Sequence, residues 1–359
     1  MPFRTLLRRV ALFLRHHGEF ASTRDVRALA QESAAIREQL AAISLRLDAL
    51  AQSHQASHDT LAHVHATQST GATAHDVHDV RRELQRHRRE LLRVEAQLDA
   101  VVRRVHLDTT SLPYPQRLTA HRFGSFSQGG EDGIILTLLG ALGLGSRRFL
   151  DIGCSDHGWN TGFLAEELGW SGLMVDRHPA RIEVTRARFP QPEVAVEAVT
   201  VTRDNLNQLV ERHRCADADV LSIDVDGNDY WLWEALTAAQ PRLVVVEYNA
   251  AFGPERSVSV PYAPGRNWDE AAAEFRYTGA SLRAFEHLAR RKGYRLVACE
   301  PDGANAFFLR NDAAPEIPGL ETRQAFRSLK KLRVVGQESE EALFARIAEA
   351  GLPLVDING

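Results

Sequence analysis

Hydrophobic positions in this chain follow two rhythms, and the change between them falls near residue 107. Before it, Leu29, Ser33, Ile36, Leu40, Ile43, Leu47 and Leu50 alternate steps of four and three. Val77, Val80, Leu84, His87, Leu91, Val94, Leu98, Val101 and Val105 do the same. A sustained repeat of this kind predicts an α-helical coiled coil over 22–106. The seam weakens over His54–Ser69, and the two runs fall out of phase across Thr70–Ala74 around Gly71, so a hinge or skip is expected there. The helices pair between subunits or fold back as a hairpin. The moderate length of each arm favours a homo-oligomer. Ahead of them, residues 1–21 set Phe3, Leu6, Leu7, Val10, Phe13 and Leu14 against Arg4, Arg8, Arg9 and Arg15. Such a basic amphipathic segment lies on an anionic membrane surface or packs on protein.

After Leu112-Pro113-Tyr114-Pro115 breaks the helix, short apolar runs alternate with helical stretches. Strands are expected at 148–152, 172–176, 193–199, 219–224, 243–249, 294–299 and 305–310. Helices are expected between most of them, among them 179–188, 203–214 and 281–292. Leu243-Val244-Val245-Val246 is apolar enough to require cover on both faces. This alternation predicts an α/β domain over 107–316 with a doubly wound, mostly parallel sheet. Pro301-Asp302-Gly303 joins the last two strands as an antiparallel hairpin. Residues 317–359 are expected to add two surface helices and an apolar strip, Leu352–Ile357.

Composition narrows the class. The 359 residues carry a net charge of −4, which gives no polyanion-binding signature, so no nucleic-acid partner is expected. Cys154, Cys215 and Cys299 are far apart and lie in or beside apolar segments. They are read as buried free thiols of a reducing compartment. With no long apolar run and no cleavable leader, a cytoplasmic location is expected. A peripheral position at the inner face of the membrane, through residues 1–20, is the alternative.

The chemistry centres on Arg148–Asp176. One apolar run ends on Asp151 and Gly153, and a second ends on Asp176, 25 residues beyond Asp151. That is a strand, a turn, a helix and a parallel strand with an acid at its tip, where a carboxylate accepts from ribose hydroxyls. The turn carries Ser155 and His157 and reaches Gly158 late, so it cradles a pyrophosphate poorly. S-adenosylmethionine has no phosphate, and its cationic groups suit Asp151. An NAD or sugar-phosphate domain with an unusual turn is the competing reading.

Several stretches together resemble the FkbM-like branch of class I S-adenosylmethionine-dependent methyltransferases. They are Ser127-Gln128-Gly129-Gly130-Glu131-Asp132, Asp151-Ile152-Gly153, Asn160-Thr161, Leu168–Leu173, Ser222–Asn228 and Val246-Glu247-Tyr248-Asn249. Val260-Pro261-Tyr262, Tyr277–Ser281 and Asn305-Ala306-Phe307-Phe308 also match. The resemblance covers roughly 121–312. It implies a seven-stranded Rossmann-like sheet and methyl transfer to an oxygen, often a sugar hydroxyl. On that reading Ser127, Gln128, Asp132, Asp151, Gly153, Asn160 and Asp176 bind the cofactor. The acceptor is a sugar or glycan. A coiled coil beside a methyltransferase also resembles, in arrangement alone, polysaccharide chain-terminating systems.

Methyl transfer needs donor and acceptor held in line and help in removing the hydroxyl proton. Asp224, Asp226, Asp229 and Glu247 sit at or after adjacent strand ends, and Asn228 and Asn249 can orient an acceptor. His157 is a second candidate base. Asp224 and Asp226 are also candidate ligands for Mg²⁺, which takes oxygen donors. Equally, Asp226–Asp229 can be a helix-capping turn, and His157 a loop histidine. Trp159 is a candidate for stacking on a sugar or on adenine, whereas Trp231 and Trp233 fit core packing better. Tyr262, Trp268 and Tyr277 are expected in a loop over the acceptor. Two further classes stay open: an NAD-dependent enzyme, and an inactive scaffold organised by the coiled coil.

Overall fold

The structure, a computed structural model, describes residues 112, 114–143, 145–154, 158–264, 277–328 and 339–358. The expected helix of 1–21, the coiled coil of 22–106, His157 and Trp268 lie outside them.

Seven strands form one sheet: β1 (Arg148–Ile152), β2 (Ser171–Asp176), β3 (Val194–Ala198), β4 (Val220–Ile223), β5 (Leu243–Glu247), β7 (Tyr294–Cys299) and β8 (Asn305–Arg310). Their order is β3-β2-β1-β4-β5-β8-β7. β8 runs antiparallel to both neighbours, and the other pairings are parallel. The α/β class and the mostly parallel seven-stranded sheet therefore stand as expected. Two further short strands, β6 (Val258–Ser259) and β9 (Val355–Asp356), pair with each other away from the main sheet.

Strand alternation divides the core in two. Leu150, Ile152, Leu173, Val175, Leu221, Ile223, Val244 and Val246 face one cluster with Leu206, Val210, Trp233 and Phe285. Phe149, Met174, Val220, Leu243 and Val245 face the other, with Ile134, Ile135, Leu138, Leu164 and Ile182. One layer therefore contains α5 (Leu206–Arg212), α6 (Asp229–Ala235) and α7 (Leu282–Lys292). The opposite layer contains α2 (Glu131–Leu142), α3 (Gly162–Glu166) and α4 (Pro179–Arg188), behind a short α1 (Gln116–Ala120). Burial on both faces explains why β5 reads as an unbroken apolar run from Leu243 to Val246.

Helix ends follow local chemistry. Ser281 accepts from the Ala284 N–H at the start of α7, and Gly293 takes a left-handed φ of 81° at its end. The C-terminal extension adds α8 (Thr322–Ala325), α9 (Glu340–Glu349) and β9. The expected apolar strip is tied down at its end, where Val355–Asp356 pairs with β6 and Ser257 Oγ donates to the Ile357 carbonyl at 2.6 Å. Ile347 joins Phe252, Val258, Val260 and Tyr277 in a small third cluster. All three cysteines are buried and free. No helix among the described residues is long and apolar enough to cross a membrane.

Candidate active site

The order in which successive strands are added reverses at β1, whose neighbours are β2 and β4. A crevice opens at the carboxyl ends of strands at such a point. Here it is a cleft of about 360 Å³, a volume suited to one small ligand. Gln128, Glu131, Gly153, Asn160, Asp176, Arg177, Arg181, Asp224, Asp226, Asn228, Glu247 and Asn305 line it.

Gly153 makes the crevice possible. Its φ is +95°, and a Cβ there would stand 1.6 Å from the Asp224 carbonyl oxygen. The strand ends on either side stay stitched, because the Gly153 N–H donates to Val175 and the Asp224 N–H to Ile152, each at 2.8 Å. Asp176 is buried at the tip of β2. Its Oδ1 accepts from the His178 N–H at 2.6 Å, and its Oδ2 lies 3.7 Å from Arg181 Nη1. Asn160 donates to Ser222 Oγ at 3.1 Å, which fixes the start of α3 to β4.

The acids gather at the other end. Asp224, Asp229 and Glu247 each offer a carboxylate oxygen, and the three oxygens lie within 4.8 Å of one another. Burial, then the charges of Asp229 and Asp226, pushes Asp224 well above the usual carboxylate range. Burial, then the charge of Asp224, does the same to Glu247, aided by a hydrogen bond between the two. Like charges this close cannot all ionise without a cation, so a proton is retained. Burial pushes Asp229 up to about 6, although it accepts from the Val225 and Gly227 N–H groups at 2.8 Å each. Those bonds form the turn through Asp226, whose φ is 55°.

The sequence pairs Asp224 with Asp226 as candidate cation ligands, and the folded chain brings a different set of acids together. The group that can share one cation among the described residues is Asp224, Asp229 and Glu247. Asp226 lines the cleft on the left-handed turn but is not in that group.

Four other expected site residues turn away from the cleft for identifiable reasons. Asp132 Oδ2 collects the N–H groups of Ser125, Phe126 and Ser127 at 2.6, 2.7 and 3.3 Å. Ser127 Oγ in turn accepts from the Asp132 N–H at 3.1 Å. This pair builds the turn that delivers α2 and does not line the cleft. Asp151 is buried behind it, accepting from Thr161 Oγ1 at 2.7 Å and Thr161 N at 3.3 Å. Burial pushes its pKa up to about 6. Asn249 caps the turn Ala250–Phe252 through the Ala251 N–H at 2.9 Å and donates to Thr278 O at 2.8 Å.

Asn228 lines the cleft, but its amide is engaged at both ends with Ala263, donating at 2.9 Å and accepting at 3.2 Å. It therefore anchors the 258–264 segment. Tyr262 is held by the Arg203 N–H at 3.1 Å and by the Arg203 guanidinium, 5.4 Å from its ring centroid. Tyr277 is buried and donates to the Pro353 carbonyl. Trp159 packs edge-on to Phe189 and donates to Thr185 Oγ1 at 3.1 Å, so it is not a stacking platform in the cleft. Trp233 is core, as expected, and Trp231 donates to the Val260 carbonyl at 2.9 Å.

Glu131 and Asn305 were missed as site residues. Asn305 Nδ2 donates to Glu131 Oε1 at 2.7 Å across a sequence separation of 174. Nothing local announces that contact. Asn305 enters because β8 returns beside β5, which sets it opposite Glu247. Arg177 and Arg181 were also missed, and the signal was their place in the first turns after the Asp176 tip.

One expected outcome concerns Asp132. Asp132→Ala leaves three N–H donors without their acceptor, so urea unfolding should report a loss of about 2–4 kcal/mol. Asp132→Asn keeps one carbonyl oxygen for all three and should lose far less. Burial lifts the Asp132 pKa from 3.8 to about 7. The stability linked to its proton is therefore fully present below pH 3.8 and disappears as pH rises to about 7. The Asn variant should remove that slope.

No family model matches the chain, and a search of the curated proteins finds no match. Among solved structures, the chain is similar to an O-methyltransferase from Bacillus cereus in complex with SAH. The identity is 18%, the match covers 49% of this chain and 76% of that one, and the TM-score is 0.32.

Proposed function

We propose that residues 107–316 form an S-adenosylmethionine-dependent O-methyltransferase acting on a hydroxyl of a glycan or glycosylated small molecule. The observation that carries the reading is one cleft with the Asp176 acid at one end and the Asp224–Glu247 pair at the other. Asp176 still has acceptor capacity for ribose hydroxyls beside the Gly153 turn. Among the described residues, the lining holds the carboxylates of Glu131, Asp176, Asp224, Asp226 and Glu247 against Arg177 and Arg181, which suits a cationic ligand. No glycine-rich pyrophosphate cradle follows β1. The glycan class and the FkbM-like branch rest on the motif resemblance.

S-adenosylmethionine, when bound, supplies an electrophilic methyl group on a sulfonium. The residues do the rest. Asp176 and Gly153 set the nucleoside against β1 and β2. Asp224 and Glu247, crowded into sharing a proton, form a base of raised affinity for the proton that the acceptor hydroxyl must lose. Asn228 holds the 258–264 segment beside them. Any Mg²⁺ that assists would be held at the same acids, as hard oxygen donors.

Calorimetry tests the cofactor. Asp176→Ala should weaken binding of S-adenosylmethionine or its demethylated product by about 1.5–3 kcal/mol, the scale of charge-assisted hydrogen bonds. Tight NAD binding with no response to the sulfonium compound would sink the proposal.

A further inference from the structure

We infer that the Asp224–Glu247 end of the cleft is a site for a hard divalent cation, Mg²⁺ or Mn²⁺, completed by the side-chain carbonyl of Asn305 on β8. The inference does not need the methyl-transfer reading, because it rests on the donor set alone.

Three observations converge. The first is spacing. Oxygens of Asp224, Asp229 and Glu247 lie within 4.8 Å of one another. Oxygen ligands bind such cations at roughly 2.0–2.6 Å, so ligands on opposite sides stand roughly 4–5 Å apart. The three can therefore face one ion. The second is charge. Among the described residues, no ion pair involves Asp224, Asp229 or Glu247. Arg181, which lines the cleft, lies against Asp176 at the other end. Three crowded carboxylates without a cation of their own are an incomplete set.

The third observation is independent of the acids. Asn305 is 6% exposed, lines the same cleft and sits opposite Glu247 in the ladder. Its Nδ2 donates to Glu131, which fixes which way the amide faces. Its Oδ1 is buried and has no hydrogen-bond partner among the described residues. A buried carbonyl oxygen without a donor is costly in water-poor surroundings, and a cation among its neighbours removes that cost. Asn side-chain carbonyls are ordinary ligands of such ions. Asp229 contributes the lone pair left on an oxygen that already accepts from the backbone. Among the described residues, neither His nor Cys lines the cleft, so the donor set there favours Mg²⁺ or Mn²⁺ over softer metals.

The test is Mn²⁺ binding by the full chain, stripped with chelator and without cofactor or acceptor. Loss of the free Mn²⁺ electron paramagnetic resonance signal is the readout. The expected result is saturable binding of one ion per chain, displaced by Mg²⁺. Binding should weaken at least tenfold in Glu247→Gln and in Asn305→Ala, and stay unchanged in Asp176→Asn. Should Glu247→Gln fail to fold, Asn305→Ala carries the test, because it removes a neutral side chain and leaves every acid in place. Absence of saturable binding in the wild type overturns the inference. So does wild-type affinity in both Glu247→Gln and Asn305→Ala, which would put the ion elsewhere. Cofactor affinity is measured separately, so failure here leaves the proposed transferase activity standing.

Discussion

Gly153→Ala is expected to leave little folded protein. The added Cβ meets the Asp224 carbonyl oxygen at 1.6 Å, and the backbone already sits at φ +95°. Neither party can yield cheaply. The carbonyl belongs to the backbone just past β4, and the glycine N–H is bonded to Val175. β1 and β4 would have to part at the middle of the sheet. Overpacking and left-handed strain together should exceed about 4 kcal/mol, a large share of a domain's stability of about 5–15 kcal/mol. Denaturant unfolding of both proteins checks it. Gly140→Ala is the matched control, since nothing lies within 4 Å of a Cβ there. That helical substitution should be neutral or stabilising by up to about 1 kcal/mol. Equal midpoints for wild type and Gly153→Ala would show that the crevice is not built as described.

Asp224→Asn should cost about 10²–10⁴ in the rate of methyl transfer, the range for loss of a positioned base. The exchange keeps the side chain's size and removes its charge. It also removes one of the three carboxylates crowded within 4.8 Å. Folding should survive, because relieving like-charge repulsion offsets any lost hydrogen bond. The measurement is turnover of both proteins on one acceptor, at saturating donor, after matching their donor affinities. An unchanged rate would make the Asp224–Glu247 pair structural and remove the centre of the proposed chemistry.

Most of the sheet was legible because parallel strands covered on both faces are written as short apolar runs, and Leu243–Glu247 is the clearest case. The reversed last hairpin was legible from Pro301-Asp302-Gly303. Helix limits were less so: 203–214 reads as helical, yet α5 spans Leu206–Arg212. At the site, Asp176, Gly153, Asp224 and Glu247 were readable because acids and glycines at strand tips face the crevice. Asp132 misled. An acid at a helix start reads as a cap, the family resemblance made it a ligand, and only the folded loop shows its oxygen taken by three N–H groups. Asn228 misled in the same way, being consumed by Ala263. Glu131 and Asn305 could not be found locally, because their meeting is made by β8 pairing with β5.

That late pairing has a consequence for how the chain comes off the ribosome. β1 to β5 are complete once residue 247 has emerged, but β8 begins only at Asn305. Through the intervening stretch, the β8 side of Leu243–Glu247 lacks its eventual neighbour, and β5 is an apolar edge of the growing sheet. Unpaired edges of this kind are templates for unwanted association during synthesis. The same delay keeps the acidic cleft without Asn305, so the proposed ligand set is assembled only once β8 has paired with β5. Contacts that span such separations form slowly. Binding competence is thereby tied to completion of the sheet, and nascent chains ending before residue 305 lack it.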